Sequence, residues 1–161
     1  VKMWEPGNHQ NPFKENAFRN LVAGHRDIHD LIGSFICHGT FTRFPRLKIA
    51  SVENGTDWVR PLLHDLAHIY GQMPQMFEED PLKVFDRNVW VSPFWETDIN
   101  ELLKIVSPDK LLFGSDYPHP EGLADPLSYY DYVKNQDPAV IKRVMSGNAY
   151  DLVGMHAPIS A

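Results

Sequence analysis

The stretch Lys110–Gly122, KLLFGSDYPHPEG, decides how the rest of the chain is read. Leu111, Leu112 and Phe113 form a short apolar run that stops at Gly114-Ser115-Asp116. The chain then turns through Tyr117, Pro118, His119, Pro120 and Glu121. A run this short, bounded by turn residues, is the pattern of a strand buried on both faces of a parallel sheet. In parallel α/β architectures the polar residues at the carboxyl ends of strands face the functional site, because the loops there form its mouth. That makes Asp116, with His119 three residues on, a candidate site residue. An Asp after a buried strand is also a common cap or turn former, so Asp116 alone does not decide the matter.

Working outward, the same alternation recurs. Leu47–Val52 reads as a short strand ahead of a turn at Gly55, and RNVWVSPFW (87–95) as a strand ending at Pro93. Helices fall between them. Arg26–His38 places Ile28, Leu31, Ile32, Phe35 and Ile36 on one face, and a helix from Phe13 precedes it, stopping at Gly24. TDWVRPLLHDLAHIYG (56–71) has Thr56 or Asp57 as its cap and Trp58, Leu62, Leu66 and Ile69 as its buried stripe. ETDINELLKIV (96–106) is amphipathic, with Thr97 or Asp98 near its start. The segments at 125–136 and 137–146 each open on Asp-Pro, the Asp as cap and the Pro in the first helical position. NAYDLVG (148–154) closes the domain; residues 1–12 read as a loop and 155–161 as a frayed tail.

Three strands interleaved with helices predict βαβ units and a parallel sheet, either an open doubly wound sheet or part of a (β/α)₈ barrel. A barrel needs about 250 residues, and 161 residues supply only a part of one. One partial domain over 1–161 is the expectation, and the opening on Val1 reads as that of a fragment or processed piece. The net charge of −6, with no basic block, argues against nucleic-acid or anionic-membrane partners. A single cysteine, Cys37, excludes an internal disulfide and fits a reducing, cytoplasmic setting. No apolar run reaches the roughly 20 residues of a membrane span.

Applied to each strand, the carboxyl-end rule selects Glu53 after the first, Ser92 through Trp95 after the second, and Asp116 with His119 after the third. Two carboxylates and an imidazole brought together suit a divalent metal or general acid–base work. His64 and His68, in HDLAH, resemble a zinc helix with Asp for Glu. They lie off the buried stripe, however, and read as a solvated face. His25 and His29 share that spacing and that reading. His38, beside Cys37, reads as a C-terminal helix cap.

RFPRLKIASVENGTDWVRPLL (43–63), NVWVSPFW (88–95), DKLLFGSDYPHPEG (109–122) and IKRVMSGNAYDLVG (141–154) together resemble the C-terminal half of an amidohydrolase-superfamily protein. More narrowly, they are similar to the amidohydrolase 2 group, relatives of aminocarboxymuconate-semialdehyde decarboxylase. The likeness runs from about Leu31 to Val153. It implies an α/β fold, the C-terminal half of a (β/α)₈ barrel, with a divalent metal at the carboxyl-end face: zinc first, with manganese or iron as alternatives. Asp116 matches the eighth-strand metal ligand and base. Glu53 stands where many relatives carry a sixth-strand histidine and would act as a second base, with His119 and Trp95 contacting substrate. No H-x-H pair, the family's first-strand ligands, occurs in these residues.

The activity so implied is metal-dependent hydrolysis or non-oxidative decarboxylation of a small organic substrate, aromatic or carboxylate-bearing. The chain alone is expected to be inactive, its remaining ligands lying elsewhere. Two further readings stand beside this one. One is a non-catalytic half-barrel that associates, with itself or a partner, through its exposed interior. The other is a zinc peptidase using His64 and His68.

Overall fold

The computed structural model describes residues 26–94, 97–119 and 122–155. The predicted helix from Phe13, the loop at 1–12, the end of the tail, and His25, Trp95 and Glu121 lie outside them. Helices α1 (Arg26–Cys37) and α2 (Thr40–Arg43) lead into β1 (Ile49–Ser51); α3 (Val59–Gln72) and α4 (Pro81–Asn88) lead into β2 (Val89–Val91). After α5 (Ile99–Leu102), the apolar run at Leu111 forms the third parallel segment. It is followed by α6 (Tyr130–Val133), α7 (Pro138–Lys142) and α8 (Asn148–Val153), with a π-helical turn over Arg143–Gly147 joining the last two.

β1 and β2 pair in parallel, with Ile49, Ala50 and Ser51 opposite Val89, Trp90 and Val91. Leu111 bridges to Val91 in parallel, and the Leu112 N–H donates to Val91 O at 2.9 Å. The predicted order of three neighbouring parallel segments is therefore present, but each is shorter than expected. Leu47 drops out of β1 because its N–H turns back to Phe44 O and its carbonyl accepts from Asn88 Nδ2 at 2.6 Å. The third segment is one bridge rather than a strand because the Phe113 N–H donates to Val144 O, in the π-helical turn.

Strand alternation sends Val89, Val91 and Leu111 into a core with Ile28, Ile32 and Ile36 of α1, Trp58 before α3, and Leu62 and Leu66 within it. Fully burying one such side chain is worth about 1.5–3 kcal/mol. Leu31 and Ile69, expected in the buried stripes, are exposed. Each sits one turn-edge away from the narrow i, i+4 row that meets the sheet. Trp58, rather than Thr56 or Asp57, takes the capping position of α3, with no side-chain cap. Asp98, Asp125 and Asp137 cap as expected, each accepting from the N–H two residues on. The helix predicted over 96–106 is only the four residues of α5. Helix α4 was not foreseen, although it too opens on Asp-Pro, Asp80 accepting from the Leu82 N–H.

Two buried asparagines hold the amino ends of the sheet. Asn88 Nδ2 donates to Pro45 O at 3.2 Å and Leu47 O at 2.6 Å. Asn148 Nδ2 donates to Pro108 O at 2.7 Å and Leu111 O at 2.6 Å. On the sheet face away from the core, Trp90 lies under the Lys110 ammonium, 3.6 Å from its ring centroid. Among the described residues no helix is long and apolar enough to cross a membrane.

Candidate functional site

Glu53 and Asp116 each leave a parallel segment in the left-handed backbone region, at φ 58° and 55°. For a residue with a Cβ this region costs about 1–2 kcal/mol, and such strain concentrates at functional sites. Past the end of each parallel segment, the bend delivers its carboxylate to the same place. One ligand atom each from Glu53, Asp116 and His119 lies within 4.8 Å of the others, in the one such group of His, Cys, Asp and Glu side chains found among the described residues.

Asp116 is the most enclosed of the three, its side chain 16% exposed against 54% for His119. His119 Nδ1 stands 2.9 Å from Asp116 Oδ1. The direction is poor for a hydrogen bond, and that buried oxygen has no aligned donor. An acidic oxygen buried without a donor is costly unless something positive meets it.

The loop that presents these groups is closed by its own backbone. The His119 N–H donates to Asp116 O at 2.9 Å, the Gly122 N–H to His119 O at 3.0 Å, and the Leu123 N–H to Ser115 O at 2.8 Å. Gly122 approaches so closely that a Cβ there would collide with the Asp116 carbonyl. Gly114 has the same relation to the neighbouring segment, where a Cβ would strike Ser92 Oγ. Val52, Phe94 and Tyr117, from the same strand-end segments as Ser92 and the two acids, are exposed apolar side chains.

The other described histidines behave as helix-surface residues. His64 Nδ1 contacts Asp65 Oδ1 at 3.1 Å on the solvent side of α3, and His68 is exposed. His29 Nδ1 lies 3.2 Å from Asp30 Oδ1. His38 Nδ1 is 2.9 Å from Ser34 O, the geometry of the expected C-terminal cap.

The sequence profile of the amidohydrolase family matches residues 25–155. This chain belongs to the amidohydrolase family. A crystal structure of an amidohydrolase from Mycobacterium avium subsp. paratuberculosis K-10 is similar to it, with 41% identity and a TM-score of 0.82 over 87% of this chain. The chain spans 36% of the length of that protein. Of the residues singled out in this amidohydrolase sequence, the fold gathers Glu53, Asp116 and His119; Trp95 lies outside the described residues. What sequence reasoning passed over is the left-handed backbone of the two acids and the part played by Gly114, Ser92 and Gly122. For Glu53 a signal was present in the Asn-Gly that follows it, a pair that marks a tight turn.

Proposed function

We propose that this chain is the C-terminal half of a (β/α)₈ barrel and that Asp116, with Glu53 and His119, is its contribution to a divalent-metal site in a hydrolase or non-oxidative decarboxylase. The observation that carries this reading is the meeting of the three side chains beside a buried, donorless Asp116 Oδ1. Asp116 is the cation's ligand in this reading, with Glu53 and His119 standing beside it, and a carboxylate ligand suits zinc, and also manganese or iron. When bound, such an ion supplies Lewis acidity, polarising a carbonyl or acidifying a water.

The chain's own residues have separable tasks in this reading. Asp116, enclosed and strained, fixes the position of the cation. The exposed Glu53 carboxylate takes up a proton from a water or a substrate hydroxyl. With Nδ1 beside Asp116, His119 has Nε2 left to meet a substrate oxygen. Exposed Val52, Phe94 and Tyr117 support a small substrate with a flat apolar body, aromatic ones included.

The test is elemental analysis of the longest polypeptide the gene encodes, with and without Asp116→Ala. The expected result is about one ion per chain, lost in the variant while the fold persists. Retention of the ion by the variant overturns the assignment of Asp116.

A further inference from the structure

Ser92 stands where the two acidic strand ends meet, and its chemistry is unused in the account above. It follows β2 directly, and its N–H donates to Ser51 O at 2.9 Å, so the sheet fixes its backbone between the segments that lead to Glu53 and Asp116. Strand alternation turns its side chain, like that of Trp90, away from the helix-side core. The residue is only 6% exposed. Among the described residues its hydroxyl finds no hydrogen-bond partner. Ser51 Oγ and Trp90 Nε1 are buried orphans as well.

The neighbouring segment is shaped around this oxygen. Gly114, two residues before Asp116, leaves open the space that Ser92 Oγ needs, and any Cβ at 114 would strike it. For packing alone, an alanine at 92 would serve better than a nearly buried hydroxyl with no partner among the described residues. A hydroxyl with no partner among the described residues, provided with room beside the metal-site segment, has the properties of a ligand contact.

We infer that Ser92 is a substrate-binding residue, its hydroxyl donating to a carbonyl or carboxylate oxygen of a small flat substrate; the inference rests on the metal-site reading above. It adds to the three side chains a neutral donor rooted in the sheet itself.

The test measures calorimetric binding of benzoate and of benzamide to the zinc-loaded longest polypeptide, as wild type, Ser92→Ala and Ser92→Thr. Expected is binding of at least one probe, weakened about five- to tenfold by Ser92→Ala, as loss of one hydrogen bond predicts. Zinc content and melting temperature stay unchanged, and Ser92→Thr restores most of the affinity. The better probe tells whether the recognised oxygen is charged or neutral. If Ser92→Ala binds like wild type, the inference is overturned. If wild type holds zinc but takes neither probe, it is overturned as well, while the metal reading stands. If wild type holds no zinc, the metal reading fails and this inference goes with it.

Discussion

At the amino ends of the sheet, Asn88 and Asn148 each send one amide to two backbone carbonyls, so the chain entering β1 and the chain entering the third segment are both tied down. At the carboxyl ends of the same segments, Glu53 and Asp116 occupy left-handed backbone and Asp116 Oδ1 is buried without an aligned donor. Each edge leaves one buried side-chain oxygen without an aligned donor, Asn148 Oδ1 at the first and Asp116 Oδ1 at the second, but only the second adds left-handed strain. Residues a few ångströms of strand apart are thus built differently: backbone carbonyls are clamped at one edge, and strained acidic residues are gathered at the other.

The comparison breaks first if the clamps turn out to be dispensable. Asn148→Ala is expected to cost about 3 kcal/mol, because two carbonyls lose their donor, one of them on the fully buried Leu111. For a chain of this size that lowers the melting temperature by about 6–12 °C in a circular-dichroism melt. Asn88→Ala should cost less, since Pro45 and Leu47 are exposed and water can take over their carbonyls. Equal effects at the two positions would remove burial as the reason.

The opposite edge gives the opposite sign. Replacing Glu53 by glycine relieves about 1–2 kcal/mol of left-handed strain against roughly 0.4–1 kcal/mol of added freedom in the unfolded chain. Glu53→Gly should therefore be as stable as wild type or up to about 1.6 kcal/mol more so, while metal affinity measured by competition with a chelator falls. A destabilised Glu53→Gly would show that the acid supports the fold.

The smallest expected effect is in acid. Arg87 donates to Glu79 Oε2 at 2.5 Å and, through Nε, to Asn88 Oδ1 at 3.0 Å, coupling a surface ion pair to the amino-end clamp. The guanidinium, with help from Thr42, holds the Glu79 carboxyl below the usual glutamate range. A folded-state value below the unfolded one adds stability above about pH 4.3, the unperturbed glutamate value, and that stability is lost as pH falls through the folded value. Glu79→Gln should consequently be slightly less stable than wild type at neutral pH, with the difference vanishing in acid. Both side chains are more than a third exposed, so the effect should be small and weaken with salt. A gap that widens in acid would reverse the assignment.

Much of this was legible in the chain itself. Asp-Pro pairs marked the starts of two helices through a local rule, and the apolar runs marked three parallel segments. The lengths of those segments were not legible, because they depend on Asn88 and on the Phe113–Val144 hydrogen bond, contacts between residues 31 to 41 positions apart. The gathering of Glu53, Asp116 and His119 followed from the carboxyl-end rule. The backbone strain beneath the acids and the room made for Ser92 did not, since both arise only when strands meet. The Gly-Asn-Ala segment carried a family likeness, but its physical work, holding the third segment by Asn148, appears only in three dimensions.

The two close-approach glycines also set how this molecule can diverge. Gly114 and Gly122 each fill a place where one methyl group would displace a serine hydroxyl or the carbonyl of Asp116. A library aimed at new specificity would do well to leave both untouched and to spread its variation over Val52, Phe94 and Tyr117, whose side chains are already exposed. In such a scheme the glycines are the fixed grammar of the loops, and the apolar rim is the vocabulary that selection can rewrite.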